Sequence, residues 1–354
     1  MKMYKQDLWS YLKEQSGLGR PVVLYGTGNG ADKIIAQLER IGVSPSAIFA
    51  SPGFVRNRDF RGLKVEGFED CLARYGDSMI VLMCFGSSRP EVLSYVDELR
   101  GRCEFYAPDV PVYGNNLFDL DFYNTHVDEL ERVRTILADE QSVRTFDDII
   151  AARITGDVKY LKDCEVTQEE ADALVSDCRG LFVDLGAYNG DTVQRYAPML
   201  PSSDGIIAVE PDSRNMRKLK ENTSDFSSVE YVQAFVSDKE ETVLTGRNLG
   251  RGTSAGKGSN IELDTVTIDG ITNGRPVGFI KFDVEGSELA ALNGGAETIA
   301  AYKPYMNIAC YHRSEDLFAL PLKVLDINPD YKIYMRHTSS VPAWDTCFYV
   351  LPSV

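Results

Sequence analysis

The sequence predicts an α/β protein: two doubly wound units in tandem, joined by a helical connector. Three observations carry that prediction. Short apolar runs of strand length alternate with stretches of helical spacing near both ends of the chain. Each alternating region opens with an apolar strand running into a glycine-bearing turn, GTGNG at 26–30 and GAYNG at 186–190. Between them, 116–175 carries charges and leucines at helical spacing and no convincing strand. The expected units are 1–115, 116–175 and 176–354, and 354 residues suit two cores at roughly 150 residues each.

The elements follow in order. The first ~18 residues form an amphipathic helix with Leu8, Tyr11 and Leu12 on one face. A strand at 21–25 leads through the glycine turn into a helix, with Ile34, Ile35, Leu38 and Ile41 at helical spacing. Strands follow at 47–51 and 79–85; the latter is wholly apolar and so central in a parallel sheet. Pro90 opens a helix to about Arg100, and 104–110 is a further strand. Beyond the connector, strands are expected at 181–186, 205–210, 229–235, 277–284 and 305–311, with helices after Gly190, Asp212 and Glu285. The last two runs, 331–337 and 346–352, have no helix between them and read as an antiparallel pair closing the sheet.

Composition narrows the partners. A formal charge of −16 repels phosphate backbones and anionic lipid, so neither nucleic acid nor a membrane surface is expected; solubility explains the excess acid. No apolar run approaches the ~20 residues of a membrane helix, and the N-terminus lacks the apolar stretch of a secretory signal. Seven scattered cysteines without CxxC spacing fit reduced thiols in a cytoplasmic protein rather than disulfides or a zinc site.

Three blocks carry candidate chemistry. In VDLGAYNGDT (183–192), Gly186 and Gly190 let backbone approach a ligand, and the helix start presents free N–H groups. Asp184 is placed to accept from a ligand ammonium, and Glu210, ending the next strand, to take both hydroxyls of a ribose. Dinucleotide and adenosylmethionine sites share this pattern. The turn is not GxGxxG, and Asp191 directly after the last glycine is unwelcoming to a pyrophosphate, which favours the methyl donor; a tight turn with a solvated acid is the structural alternative. In FIKFDVEGSE (279–288), strand alternation sends Asp283 and Glu285 to one face at the strand's end, with Glu288 a turn further on. These acids either serve the ligand or cap a helix, and with no histidine nearby in sequence no metal is expected. His312, ending the fifth strand of this half, either removes a proton near neutral pH or serves as a structural hydrogen-bond donor, and His337 is the weaker candidate. The stretch 246–259, rich in Gly, Ser and basic residues, reads as a substrate loop or a plain connection. In the first unit, Gly26, Gly28 and Ala31 make a GxGxxA turn, yet the second strand ends at Ser51 and lacks the acid an NAD ribose needs. Arg56 and Arg58 follow, either to meet a phosphate or to face solvent, so a degenerate module for docking or a sugar nucleotide is favoured over an NAD site.

Taken in order, VDLGAYNGDT, AVEPD (208–212), YVQAFVSD (231–238), TVTIDG (265–270), IKFDVEGSE (280–288), CYHRSEDL and YMRHTSS resemble the FkbM family of S-adenosylmethionine-dependent methyltransferases over roughly 176–352. The DVEG block after a lysine-bearing strand is the most specific of them. The resemblance implies a class I, seven-stranded, Rossmann-like methyltransferase domain with S-adenosyl-L-methionine as cofactor. The first block (Asp184, Gly186, Ala187, Gly190, Asp191 and Thr192) would cradle the methionine part, Glu210 with Pro211 would hold the ribose, and the loop from Phe235 to Asp238 would border the adenine. Tyr188 and Asn189 stand where many class I enzymes carry glycine. The implied reaction is O-methylation of a hydroxyl on a glycan, sugar or other small-molecule acceptor, with His312 or Asp283 as base and Glu285 positioning the acceptor. The rivals are an NAD(P)-linked oxidoreductase using the first unit and a non-catalytic cofactor-binding protein; a homodimer through the first unit is compatible with all three.

Overall fold

The computed structural model describes residues 2–55, 58–245 and 261–353. Its N-terminal sheet contains β1 (Val22–Tyr25), β2 (Ala47–Phe49), β3 (Asp59–Phe60), β4 (Leu63–Glu66), β5 (Ile80–Met83) and β6 (Glu104–Tyr106), in the order β3-β4-β2-β1-β5-β6. All pairs are parallel except β3 with β4. Every residue of β1 and β5 is buried, as expected for apolar runs covered on both faces. The strand expected at 104–110 stops at Tyr106, and the chain leaves the sheet through two prolines, at 108 and 111. The β3–β4 hairpin was not expected, because its residues are largely polar and half exposed.

The C-terminal half contributes β7 (Gly180–Leu185), β8 (Ser203–Val209), β9 (Val229–Val232), β10 (Phe235–Val236), β11 (Thr242–Thr245), β12 (Ile261–Val266), β13 (Val277–Phe282), β14 (Tyr305–Ala309), β15 (Lys332–His337) and β16 (Thr346–Leu351). Seven of these form one sheet, β15-β16-β14-β13-β7-β8-β9, in which β16 runs antiparallel to both β14 and β15. The segment expected as a loop after β9 begins instead with β10, in a small sheet ordered β10-β12-β11. In the large sheet the winding reverses between β7 and β13, and in the N-terminal sheet between β1 and β5. Open α/β sheets bind ligands at such points, outside the carboxyl ends of the strands.

Five helices (Leu120–Thr125, Val127–Ile136, Glu140–Thr155, Val158–Cys164 and Gln168–Asp172) fill the connector. The longest is capped by Asp139, whose carboxylate accepts from the Ser142 N–H, and it stops at Gly156 with φ +68°. Single bridges from Leu137 to Ile333 and from Glu165 to His337 lay the connector along the β15 edge. One apolar cluster runs through both sheets and the connector, from Val23 through Phe118 and Phe146 to Phe282 and Phe348. No helix among the described residues is long and apolar enough to cross a membrane.

Candidate active site

After β7 the chain turns sharply at 186–190 into the helix Asp191–Tyr196. Gly186 has φ +80°, and a Cβ there would sit 1.9 Å from the Asp283 carbonyl oxygen. At Gly190, with φ +90°, a Cβ would meet the Thr223 methyl at 2.8 Å. Both glycines are therefore demanded by the packing of the turn on its neighbours. Tyr188 between them takes a left-handed φ of +45°, a conformation that favours glycine.

The strained turn is held from β8. Glu210, directly after that strand, accepts the Tyr188 N–H on Oε2 at 3.0 Å; its Oε1 accepts the Asp212 N–H at 2.8 Å and Asn215 Nδ2 at 3.4 Å. Burial pushes the Glu210 carboxyl up to about 7, outweighing these donors. Asp184, on β7, is wholly buried, and neither carboxylate oxygen has a hydrogen-bond partner among the described residues. Burial pushes it up to about 7 as well, against the pull of Lys281, its partner in register on β13.

A second cluster forms where β13 and β14 end. Lys281 Nζ donates to Asp283 Oδ2 at 3.0 Å, and the Tyr311 hydroxyl donates to Oδ1 at 3.4 Å. His312 Nε2 lies 3.3 Å from Asp283 Oδ1 and 3.6 Å from Glu285 Oε2, while Nδ1 lies 2.8 Å from Glu288 Oε1. Glu288 is fully buried and also accepts the Val284 N–H at 2.8 Å. Alternation does not deliver Glu285 as expected: β13 ends at Phe282, and Glu285 enters through a left-handed turn with φ +51°.

These contacts set the charge of His312. Burial opposes its charge, but the carboxylates of Glu288, Asp283 and Glu285 override burial and push the imidazole up to about 10. That shift favours the charged ring, which is hydrogen-bonded through Nδ1 to Glu288 and ion-paired through Nε2 with Asp283. Asp283 shows the reciprocal effect: burial alone would raise it, but Lys281 and His312 hold it below the usual carboxylate range. His337 is buried, bonded through Nδ1 to Thr346 and pushed down to about 4 by burial; it does not border the cleft.

Ligand atoms of Asp283, Glu288 and His312 lie within 4.8 Å of one another, close enough to hold a cation. The Lys281 ammonium and the imidazolium already neutralise two of these carboxylates, so the cluster reads as an ion-pair network rather than a donor set for a metal.

Both centres open into one cleft of about 860 Å³. Of the residues expected to hold cofactor, Gly186, Asp191, Thr192, Glu210, Pro211 and Phe235 border it, and Asp283, Glu285 and His312 face it from the other side. Asp184, Ala187 and Gly190 are buried behind the wall, and Asp238 is exposed outside it. Sequence reasoning missed Lys281 as a site residue; the signal was a lysine inside an otherwise apolar strand. Ser51 is bonded to the Tyr25 hydroxyl at 2.6 Å and Arg58 to Thr27 at 2.6 Å. Arg56 and the stretch 246–259 lie outside the described residues.

A parallel sheet closed by an antiparallel pair, with its cleft at the β7/β13 reversal, defines a Rossmann-like fold of the class I methyltransferase type. Residues 184–331 match the family model of the methyltransferase FkbM domain. The crystal structure of a methyltransferase FkbM from Methylobacillus flagellatus shares the fold, with a TM-score of 0.72 and 22% identity over 96% of this chain and 92% of that one. An rRNA methylase from Streptococcus thermophilus (TM-score 0.35, 11% identity) aligns with 52% of this chain and 93% of its own. Aeropyrum pernix fibrillarin with bound S-adenosyl-L-methionine (TM-score 0.32, 16% identity) aligns with 50% of this chain and 67% of its own. No curated protein matches the chain.

Proposed function

We propose that this methyltransferase uses S-adenosyl-L-methionine to methylate a hydroxyl of a small-molecule or glycan acceptor. The observation that carries the reading is Glu210: a buried carboxylate on the cleft wall beside the β7/β13 reversal, anchoring the strained turn through Tyr188.

The residues fit the cofactor. Glu210 would take its ribose hydroxyls, the turn from Gly186 to Thr192 would face its methionine part, and Phe235 would border its adenine. When bound, the cofactor supplies a methyl group activated on a positive sulfur; the protein aligns the acceptor and takes up its proton. Asp283 would accept the acceptor's hydroxyl proton as that oxygen takes the methyl group and S-adenosylhomocysteine leaves. A half-methylated hydroxyl is strongly acidic, so a carboxylate held ionised by Lys281 and His312 is base enough. Glu285 faces the same space and orients the acceptor.

Isothermal titration with S-adenosylhomocysteine, beside Glu210→Ala, tests the reading. Micromolar binding by the natural chain is expected, weakened roughly tenfold to a hundredfold in the variant for loss of charge-assisted hydrogen bonds. A folded protein that ignores this ligand and binds NAD would overturn the reading in favour of an oxidoreductase.

A further inference from the structure

The reversal point of the N-terminal sheet opens into the same cleft. Thr27 and Asn29, after β1, and Phe85, Ser87 and Ser88, after β5, border it opposite the Asp283–His312 cluster. This face is fixed to the C-terminal half. Ser87 and Val341 exchange backbone hydrogen bonds at 2.9 and 3.1 Å, and the Trp344 ring lies so close to Gly86 that a Cβ there would meet it at 2.3 Å. The Tyr113 N–H donates to the His312 carbonyl at 2.9 Å, and its ring packs on Gly286 and under the Arg313 guanidinium, 4.1 Å from the ring centre. Two reversal points thus face each other across one cavity. Its volume stands near the upper end of the roughly 300–1,000 Å³ of small-molecule sites, which leaves room for a second molecule beside the cofactor.

Among the described residues, the chemistry of this wall favours an uncharged guest over an anion. Lys33 donates to the Pro111 and Val112 carbonyls at 2.7 and 2.9 Å, and Arg58 donates to Thr27, so both cations are engaged by the protein. The carboxylates of Asp283, Glu285 and Asp345 also border the cavity and add no site for a phosphate. What the wall offers is hydroxyls and an amide (Thr27, Asn29, Ser87, Ser88) beside the flat apolar faces of Phe85 and Trp344. A sugar ring has hydroxyls at its edge and an apolar C–H face, and matches both.

We propose that the N-terminal α/β unit is the acceptor-binding half of the active site, and that the β1/β5 reversal with Trp344 holds an uncharged glycosyl ring. The proposal rests on the methyltransferase reading of the C-terminal half. The test is a glycan array containing neutral, sialylated and phosphorylated glycans, probed with the full chain in the presence of S-adenosylhomocysteine. Ser88→Trp and Asn29→Ala run beside it, and S-adenosylhomocysteine affinity is measured calorimetrically in every sample. Expected is binding to uncharged glycans that Ser88→Trp weakens roughly tenfold or more by filling the wall, with S-adenosylhomocysteine affinity unchanged. Glycan binding insensitive to Ser88→Trp, a preference for phosphorylated or sialylated glycans, or no glycan binding by a chain that still binds S-adenosylhomocysteine would each overturn it. A failure of the methyltransferase reading shows separately, as absent S-adenosylhomocysteine binding in the natural chain.

Discussion

An imidazole enclosed by three carboxylates holds its proton far more tightly than a free one, and His312 turns that into stability. Its native value of about 10 stands above the ~6.5 of an unfolded histidine, so the native state keeps a proton that the unfolded chain releases between those values. The stabilisation is whole below pH ~6.5 and fades as pH rises toward 10. Replacing His312 with Gln removes it and leaves Glu288 buried without its cation, at a cost of roughly 3–5 kcal/mol. Urea unfolding at pH 6.5 and 8.5 checks this: the gap between natural chain and variant should narrow at the higher pH. A constant gap would mean that the ring is neutral. Asp283→Asn tests the proton acceptor at the same scale. With any acceptor that supports turnover, its methyl-transfer rate should fall about a hundredfold while S-adenosylhomocysteine affinity holds. An unchanged rate would remove Asp283 from the mechanism.

At the scale of the element, Asp139 ties the connector to the catalytic half. Its carboxylate caps the helix Glu140–Thr155 through the Ser142 N–H at 2.7 Å and pairs with Arg336 of β15 at 2.6 Å. Ser142 Oγ in turn accepts the Met335 N–H at 2.9 Å and Arg336 Nη1 at 2.8 Å. Asp139→Ala loses both a cap and a half-buried charge partner. It should lower unfolding free energy by about 2–3 kcal/mol where the cap alone accounts for ~1, read from the urea midpoint. None of this was visible in the sequence, where Asp139 and Arg336 are far apart and look solvated. The long strands were legible because each is an apolar run between turn residues, and the terminal antiparallel pair because no helix separates its members. What escaped was polar, two residues long, or set by pairing: β3 with β4, the small β10–β12 sheet, and the Lys281–Asp184 register. In the site, periodicity found the strand ends but not the left-handed turns at Tyr188 and Glu285, and so missed how Glu285 reaches His312. It also could not show what surrounds His312, because the three carboxylates around it become neighbours only once β13 and β14 pair.

At the scale of the whole molecule, the two sheets and the connector share one apolar cluster and one cleft, so they should unfold together. The chain's only two tryptophans make the test direct: Trp9 is buried in the N-terminal helix Leu8–Gly17, and Trp344 stands at the cleft. In a Trp344→Phe variant, Trp9 fluorescence follows the N-terminal unit, outside the cleft lining, while far-ultraviolet circular dichroism follows the whole chain. A ligand that binds only the native state adds about 2.7 kcal/mol of stability at a hundred times its dissociation constant, and adds it to everything that unfolds cooperatively with its site. S-adenosylhomocysteine at that excess should therefore raise the thermal midpoint reported by Trp9 as far as the midpoint reported by circular dichroism. If the Trp9 transition stays in place while a second transition moves, the N-terminal unit folds independently, and the shared cluster is a contact between two domains rather than a common core.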